Sequence, residues 1–368
     1  MSRRVKALGI VVSVLTLAVL ALGLVLSHDS ACEAPAAPAK GVLRMRAFTY
    51  RCYGAPAVLT LTDIVKPAPR PNELLVKVRA ASVNPLDWHF LRGKPYVMRL
   101  SSGLGKPKDP RAGVDFAGTV EAVGSAVTRF KPGDHVFGGR SGAFAEYLTI
   151  REDGAVVSKP DSVTFEQAAA VGIAAVTALQ AIRDKGQVKP GQRVLVNGAS
   201  GGVGTFAVQI AKSSGAEVTG VSSTRNLDLV KSLGADHVID YTHEDFTKGT
   251  QRYDVIIDNV GNHPLLKYRH VLTPEGIVVI VGGPSENRWI GPLSRFLGAA
   301  VLSPFVSQTF VMFIAELNQP DLTVLRDLME AGKLTSVIDR RYPLLELPAA
   351  IGYLEEGRAR GKVIIIVE

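Results

Sequence analysis

Three glycines at GxxGxxG spacing, Gly198, Gly201 and Gly204, stand in the run Asn197–Lys212, NGASGGVGTFAVQIAK. They follow the apolar stretch Arg193–Val196 and open a segment of small and apolar residues at helical spacing. Such a turn brings backbone N–H groups and the positive end of a helix against a pyrophosphate. Ser200, Gly202 and Val203 lie in the same turn and are taken with it as cofactor contacts. A bare glycine triplet is weak evidence, so the flanking elements decide its meaning.

A second group of polar residues bears on which dinucleotide the turn would hold. About 20 residues past a glycine turn, an NAD-binding fold places Asp or Glu on the ribose 2′-hydroxyl. Here Glu217-Val218-Thr219-Gly220-Val221 runs into Ser222-Ser223-Thr224-Arg225, with no acid. Ser222 and Thr224 can donate to a 2′-phosphate and Arg225 can neutralise it, which predicts NADPH. The competing reading is a polar turn that caps the helix beginning near Leu227.

The elements that would position these groups are legible on either side. From residue 45 to Lys159-Pro160 the chain alternates in short strands broken by Gly, Pro and Asp turns, as in Gly113–Val136. After that the pattern changes to strands at Arg193–Val196, Glu217–Val221, Val238–Ile239, Tyr253–Ile257 and Ile277–Val281, with helical runs between them. A βαβ series of this kind predicts a parallel, doubly wound sheet, and with a strand before it and a helix after it the glycine turn reads as a dinucleotide site. Past residue 302 the chain returns to mixed strands and one helix. The expected division is an N-terminal segment 1–44, a β-rich domain 45–160, a nucleotide-binding domain 161–302, and completion of the β-rich domain by 303–368.

Composition narrows the partners. A chain of 368 residues exceeds one core, and 46% hydrophobic against 21% charged residues describes a globular protein. The net charge of +8 is spread among acids, without a basic arm or zinc-finger spacing, which argues against nucleic acid. Cys32 and Cys52 are the two cysteines, and their isolation argues against a disulfide framework and a cysteine-held metal. Ala7–Leu26 carries no charge and, at about 1.5 Å per residue, matches a bilayer core, so a retained membrane span over 7–26 is expected. A signal sequence, or a true start at Met45, are the alternatives. Ala31–Gly41 then reads as a Pro/Ala tether. Basic residues flank the span on both sides, so cofactor supply chooses the side: the catalytic domains are expected on the cytoplasmic face.

ASVNPLDW (Ala81–Trp88), Gly113–Gly138, AAAVGIAAVTALQAI (Ala168–Ile182), NGASGGVG and KSLGADHVIDY (Lys231–Tyr241) together resemble the medium-chain dehydrogenase/reductase superfamily, from about residue 45 onward. Within it the chain is similar to the zinc-free quinone oxidoreductase and enone reductase branch. The resemblance implies a GroES-like catalytic domain interrupted by a Rossmann domain. It also implies that Asn84 lies on the nicotinamide-ribose side, Thr177 beside it, and Val260, Gly282 and Gly283 in the nicotinamide pocket. Asp87, Trp88 and His89 would face the substrate. Relatives often carry Lys or Arg where this chain has His89, which puts a proton-donor role there in question. Taken alone, Asp87 also reads as a brace for its turn, Trp88 as core, and His89 as a packed residue.

Zinc-dependent members carry Cys where this chain has Asn84 and a GHExxG motif where it has Gly113-Val114-Asp115-Phe116-Ala117-Gly118. Asn84 and Val114 are not zinc ligands, and the cysteine lobe of a structural zinc is missing between Gly133-Asp134 and Tyr147, so no metal is expected. The expected activity is NADPH-dependent hydride transfer to a quinone or an α,β-unsaturated carbonyl. A non-catalytic nucleotide-sensing membrane scaffold and an alcohol dehydrogenase-type activity remain as alternatives. The apolar Leu297–Ile314 is read as substrate-pocket lining or as the contact of a homodimer.

Overall fold

The computed structural model describes the chain except for residues 1–2, 35–37, 285–286, 303–304 and 368, and the side chains of 3–9, 11 and 301. Among the described residues two main sheets share the work. The first is a parallel sheet of strands β1 (Arg193–Asn197), β2 (Glu217–Ser222), β3 (His237–Asp240), β4 (Tyr253–Asp258), β5 (Leu272–Ile280) and β6 (Thr309–Met312), ordered β3-β2-β1-β4-β5-β6. Val194, Leu195, Val196, Ile256 and Ile257 are fully buried, as strands covered on both faces must be. The order reverses between β1 and β4, and ligands of such sheets bind beyond the carboxyl ends of the strands at that point.

The second sheet has seven strands. Its longest, Glu73–Val83, lies between Lys362–Ile366 and Asp115–Val123, so the last strand of the chain is stitched antiparallel to one of the first. Phe116, Val136, Phe144, Leu74 and Ile365 fill its interior. This is the β-rich domain expected from the sequence, completed by the C-terminal segment.

Three expectations need correction. The parallel sheet takes up Thr309–Met312, so the boundary expected at residue 302 falls before its last strand. Leu297–Ile314 accordingly divides into the end of the Leu293–Leu302 helix and this strand. Second, Cys32 and Cys52 are joined in a disulfide, their Cα atoms 4.8 Å apart, because the segment after the N-terminal helix folds back onto the β-rich domain. Third, an N-terminal helix forms over Arg3–Ser27, but its last turn packs on protein, with Leu26 buried. Among the described residues no helix is long and apolar enough to cross a membrane, and residues 7–9 and 11 of the expected span have side chains outside that set.

Candidate cofactor cleft and catalytic site

The glycine turn closes tightly at the switch point. Gly198 has φ 79°, a left-handed conformation suited to glycine. A Cβ on Gly204 would lie 2.0 Å from the Gly198 carbonyl oxygen, so the Gly202–Ser213 helix can start this close to β1 only with glycine there. Ser200 and Gly201 meet the C-terminal strand, Gly361 N donating to Ser200 O at 2.9 Å, while Val203 turns toward the main core. The loops after β4 and β5 converge on the turn. A Cβ on Gly198 would lie 2.7 Å from Val260 Cγ2, one on Gly282 2.1 Å from Asn259 O, and one on Gly261 2.7 Å from Gly283 Cα. Val260, Gly282 and Gly283 are therefore gathered at the turn.

A residue the sequence reading missed holds these loops. Asp258, fully buried at the end of β4, accepts from Asn197 Nδ2 (2.9 Å), Gly261 N (2.9 Å), the Tyr268 hydroxyl (2.7 Å) and Arg295 (2.7 Å). An acid that ends the apolar run Val255–Ile257 was the available signal.

At the far end of the turn, Ser222 is buried and its Oγ finds no partner among the described residues; neither does Asn226 Oδ1. Asn226 Nδ2 reaches Ser200 Oγ at 3.1 Å. Two orphaned polar atoms beside an open glycine turn fit a ribose and its phosphates, because buried polar groups are otherwise paired. Thr224, however, donates to Asp240 Oδ2 at 2.5 Å, and the Thr224 and Thr242 hydroxyls hold the Asp240 carboxyl far below the usual range. The sequence shows no acid at the end of β2; this one arrives from the end of β3. Arg225 donates to Arg358 O (3.1 Å) and accepts at its carbonyl from Arg360 (3.5 Å), so the C-terminal segment brings a backbone carbonyl and the Arg360 guanidinium to that side.

Asn84 is 1% exposed and held at both ends of its amide. Lys362 Nζ donates to its Oδ1 at 2.5 Å, and its Nδ2 donates to Asp115 Oδ2 at 2.8 Å. Asp115 also accepts from Ser82 Oγ (3.1 Å) and Ile173 N (2.9 Å) and pairs with Lys362 at 3.8 Å. Burial pushes the Asp115 carboxyl up and the Lys362 ammonium down, each opposed by the other's charge. Thr177 stands on the Gly172–Gln180 helix, whose Ile173 N–H binds Asp115, and donates to Ile173 O at 2.7 Å.

Asp87, Trp88 and His89 lie on the Pro85–Arg92 helix that begins after Asn84. Asp87 Oδ2 accepts from Asn84 N at 2.7 Å, and burial raises its pKa to about 7. Trp88 packs against the β-rich core and stacks on His89, ring centroids 3.7 Å apart. His89 Nδ1 lies 2.7 Å from Lys94 O, which makes it the protonated nitrogen, and burial lowers its pKa. Asp87 thus braces the turn that presents Asn84, and His89 braces the start of the next loop. Lys362 and Asp115, the buried charges touching Asn84, were outside the sequence-based candidate set.

Residues 70–161 match the alcohol dehydrogenase GroES-like domain, and residues 233–365 match the family described as zinc-binding dehydrogenase. The chain is 36% identical over 307 residues to a zinc-type alcohol dehydrogenase-like protein of Schizosaccharomyces pombe, covering 80% of this chain and 87% of that protein. It is 34% identical over 335 residues to a chloroplastic quinone-oxidoreductase homolog of Spinacia oleracea, covering 87% and 98%. Among solved structures, the Escherichia coli quinone oxidoreductase complexed with NADPH superposes with a TM-score of 0.74 at 26% identity, covering 88% of this chain and 100% of that one. The chain belongs to the medium-chain dehydrogenase/reductase superfamily and is one of its NAD(P)H-dependent reductases.

Proposed function

We propose that the protein transfers hydride from NADPH to a quinone or an α,β-unsaturated carbonyl without zinc. The observation that carries this reading is Asn84, buried at the cleft and fixed between the Lys362 ammonium and the Asp115 carboxylate. When bound, NADPH supplies the hydride. The chain's own groups bind and orient. Gly198–Gly204 offers N–H groups to the pyrophosphate; Ser222, Thr224 and Arg225 take the adenosine ribose and its 2′-phosphate; Asn84, Thr177, Val260, Gly282 and Gly283 line the nicotinamide side. Asp87, Trp88 and His89 shape the substrate side by holding the Pro85–Arg92 helix.

The zinc-free reading rests on chemistry at the same place. Where a metal-dependent relative would present a thiolate, this chain presents an amide with an ammonium 2.5 Å from its oxygen, and a cation would be repelled there. Negative charge developing on the acceptor oxygen is instead met by hydrogen-bond donors and by the positive end of a fixed ion pair.

The catalytic domains comprise 45–160 and the C-terminal segment, with the nucleotide-binding domain between them. The N-terminal helix associates with a membrane: its large apolar side chains from Ile10 to Val25 are 47–73% exposed. NADPH supply places the domains on the cytoplasmic face. The edge strand β6 and the exposed Phe305 and Ile314 suit a second copy of the chain. NADPH oxidation by the purified full chain against a panel of quinones and enones tests the reading. Cofactor binding with no turnover on any of them would make the protein a nucleotide-binding scaffold.

A further inference from the structure

The Pro85–Arg92 helix carries the chain away from Asn84 and, at about 1.5 Å per residue, ends roughly 12 Å from it. The next loop forms one lip of the cleft by meeting the Arg288–Gly291 turn. Tyr96 N donates to Arg288 O (2.8 Å), Val97 N donates to Trp289 O (3.1 Å), and the Tyr96 and Trp289 rings stand edge to face at 5.1 Å.

The N-terminal helix ends on this lip, in a built seat. A Cβ on Gly23 would lie 3.4 Å from the Trp289 ring. Arg99, 1% exposed, donates to Leu26 O (3.0 Å), His28 O (2.9 Å), Gly93 O (2.8 Å) and Asp29 (2.8 Å), and its guanidinium lies over the rings of Tyr53 and Tyr96. Ser30 N donates to Gly105 O at 2.9 Å, and the Cys32–Cys52 bond closes the segment. The direction in which the helix leaves the body is therefore fixed relative to the cleft.

The same lip exposes Leu100 (57%), Leu104 (52%) and Trp289 (44%), and it is continuous with the N-terminal helix, whose described large apolar side chains from Ile10 to Val25 are exposed. A helix apolar on all sides is covered by hydrocarbon rather than by one protein groove. The exposed Arg288 and Lys108 at the lip suit anionic headgroups. A Trp at the border of an apolar surface is a membrane-interface residue type.

We propose that a lipid bilayer covers the N-terminal helix and that the lip's exposed Leu100, Leu104 and Trp289 rest at its headgroup level. The cleft then takes its acceptor from the membrane: a quinone or enone with a long apolar tail. This rests on the reductase reading above. The acceptor gains a hydride and a proton, two electrons in all, and leaves as the hydroquinone or the saturated carbonyl, with NADPH oxidised to NADP⁺.

The full chain is mixed with vesicles of phosphatidylcholine and phosphatidylglycerol, floated on a density gradient, and its tryptophan fluorescence is measured with acyl-chain-brominated lipid. Flotation with quenching that is lost in Trp289→Phe is the expected result. NADPH oxidation with a long-tailed quinone should rise about tenfold or more on vesicles, since partition concentrates the acceptor at the lip, while a short water-soluble quinone shows no change. Flotation without Trp289 quenching overturns the lip placement, as does a chain that stays in solution or a second copy that shields Trp289. Equal gains for both quinones overturn the acceptor assignment. Oxidation with neither quinone, on or off vesicles, overturns it together with the reductase reading, whereas activity on the short quinone alone leaves that reading standing.

Discussion

Lys362 Nζ donates to Asn84 Oδ1 at 2.5 Å, joining the Lys362–Ile366 strand to the N-cap of the Pro85–Arg92 helix across 278 residues of sequence. Lys362→Met should free the oxygen end of the Asn84 amide and leave Asp115 buried without its cation. Removing one partner of a buried pair costs about 3–5 kcal/mol, which urea unfolding would register. Adding Asp115→Asn should return much of that stability but not the activity, because Asn84 would still lack its anchor. Equal activity of Lys362→Met and the unmodified protein would remove Asn84 orientation from the mechanism.

Cofactor choice is tested at the end of β2. A charge-assisted contact is worth about 1.5–3 kcal/mol, so NADPH should be preferred to NADH by roughly ten- to a hundredfold in kcat/KM. Ser222→Asp should erase or invert the preference, and Arg225→Ala should weaken NADPH use while sparing NADH. Asp240, already bonded to Thr224, is an acid that opposes a 2′-phosphate, so Asp240→Asn should widen the preference. Equal efficiency with both cofactors in the unmodified protein would reject the assignment.

Burial raises the Asp87 carboxyl to about 7, well above the ordinary value. A carboxyl with a raised folded-state pKa binds more protons folded than unfolded, so its contribution is greatest at low pH and declines as pH climbs from about 4 to about 7. Asp115 is shifted in the same direction. Asp87→Asn keeps an acceptor for Asn84 N and should flatten the decline. Denaturant midpoints measured across that window check it: an unchanged slope in the variant would assign the effect elsewhere.

Chelation provides an independent check. With Asn84 and Val114 at the positions where zinc-dependent relatives carry ligands, overnight dialysis against EDTA should leave both the melting temperature and NADPH oxidation unchanged. Activity lost to the chelator and restored by zinc would reopen alcohol oxidation.

Local order was readable where neighbours in sequence are neighbours in space. The glycine turn, the β-α alternation and the apolar strands on either side follow from short-range pattern, because Gly198–Gly204 and the strand before it form one continuous unit. Asp87 could be read as a brace for the same reason, its partner being three residues away. Lys362, Arg358 and Arg360 could not, since they reach the cleft through the antiparallel pairing of Lys362–Ile366 with Glu73–Val83. Asp240 was missed because the end of β3 lies beside the end of β2 only once the sheet has formed. The two cysteines looked isolated for a related reason: the buried Arg99 guanidinium gathers the carbonyls that follow the N-terminal helix, a contact across more than 70 residues.

The Cys32–Cys52 bond puts the proposed cytoplasmic placement to a chemical test. Glutathione keeps such pairs as thiols in a cytosol, whereas an oxidising compartment preserves them, so the bond and a cytosolic NADPH supply point to opposite sides of a membrane. Alkylation of freshly lysed cells followed by peptide mass measurement would read which side prevails. Blocked thiols at both positions would mean that the seat is held by Arg99 and the Ser30–Gly105 bond without a covalent link, on the side where the reductant is made. An intact bond would mean that hydride chemistry has been carried to where NADPH must be imported or replaced.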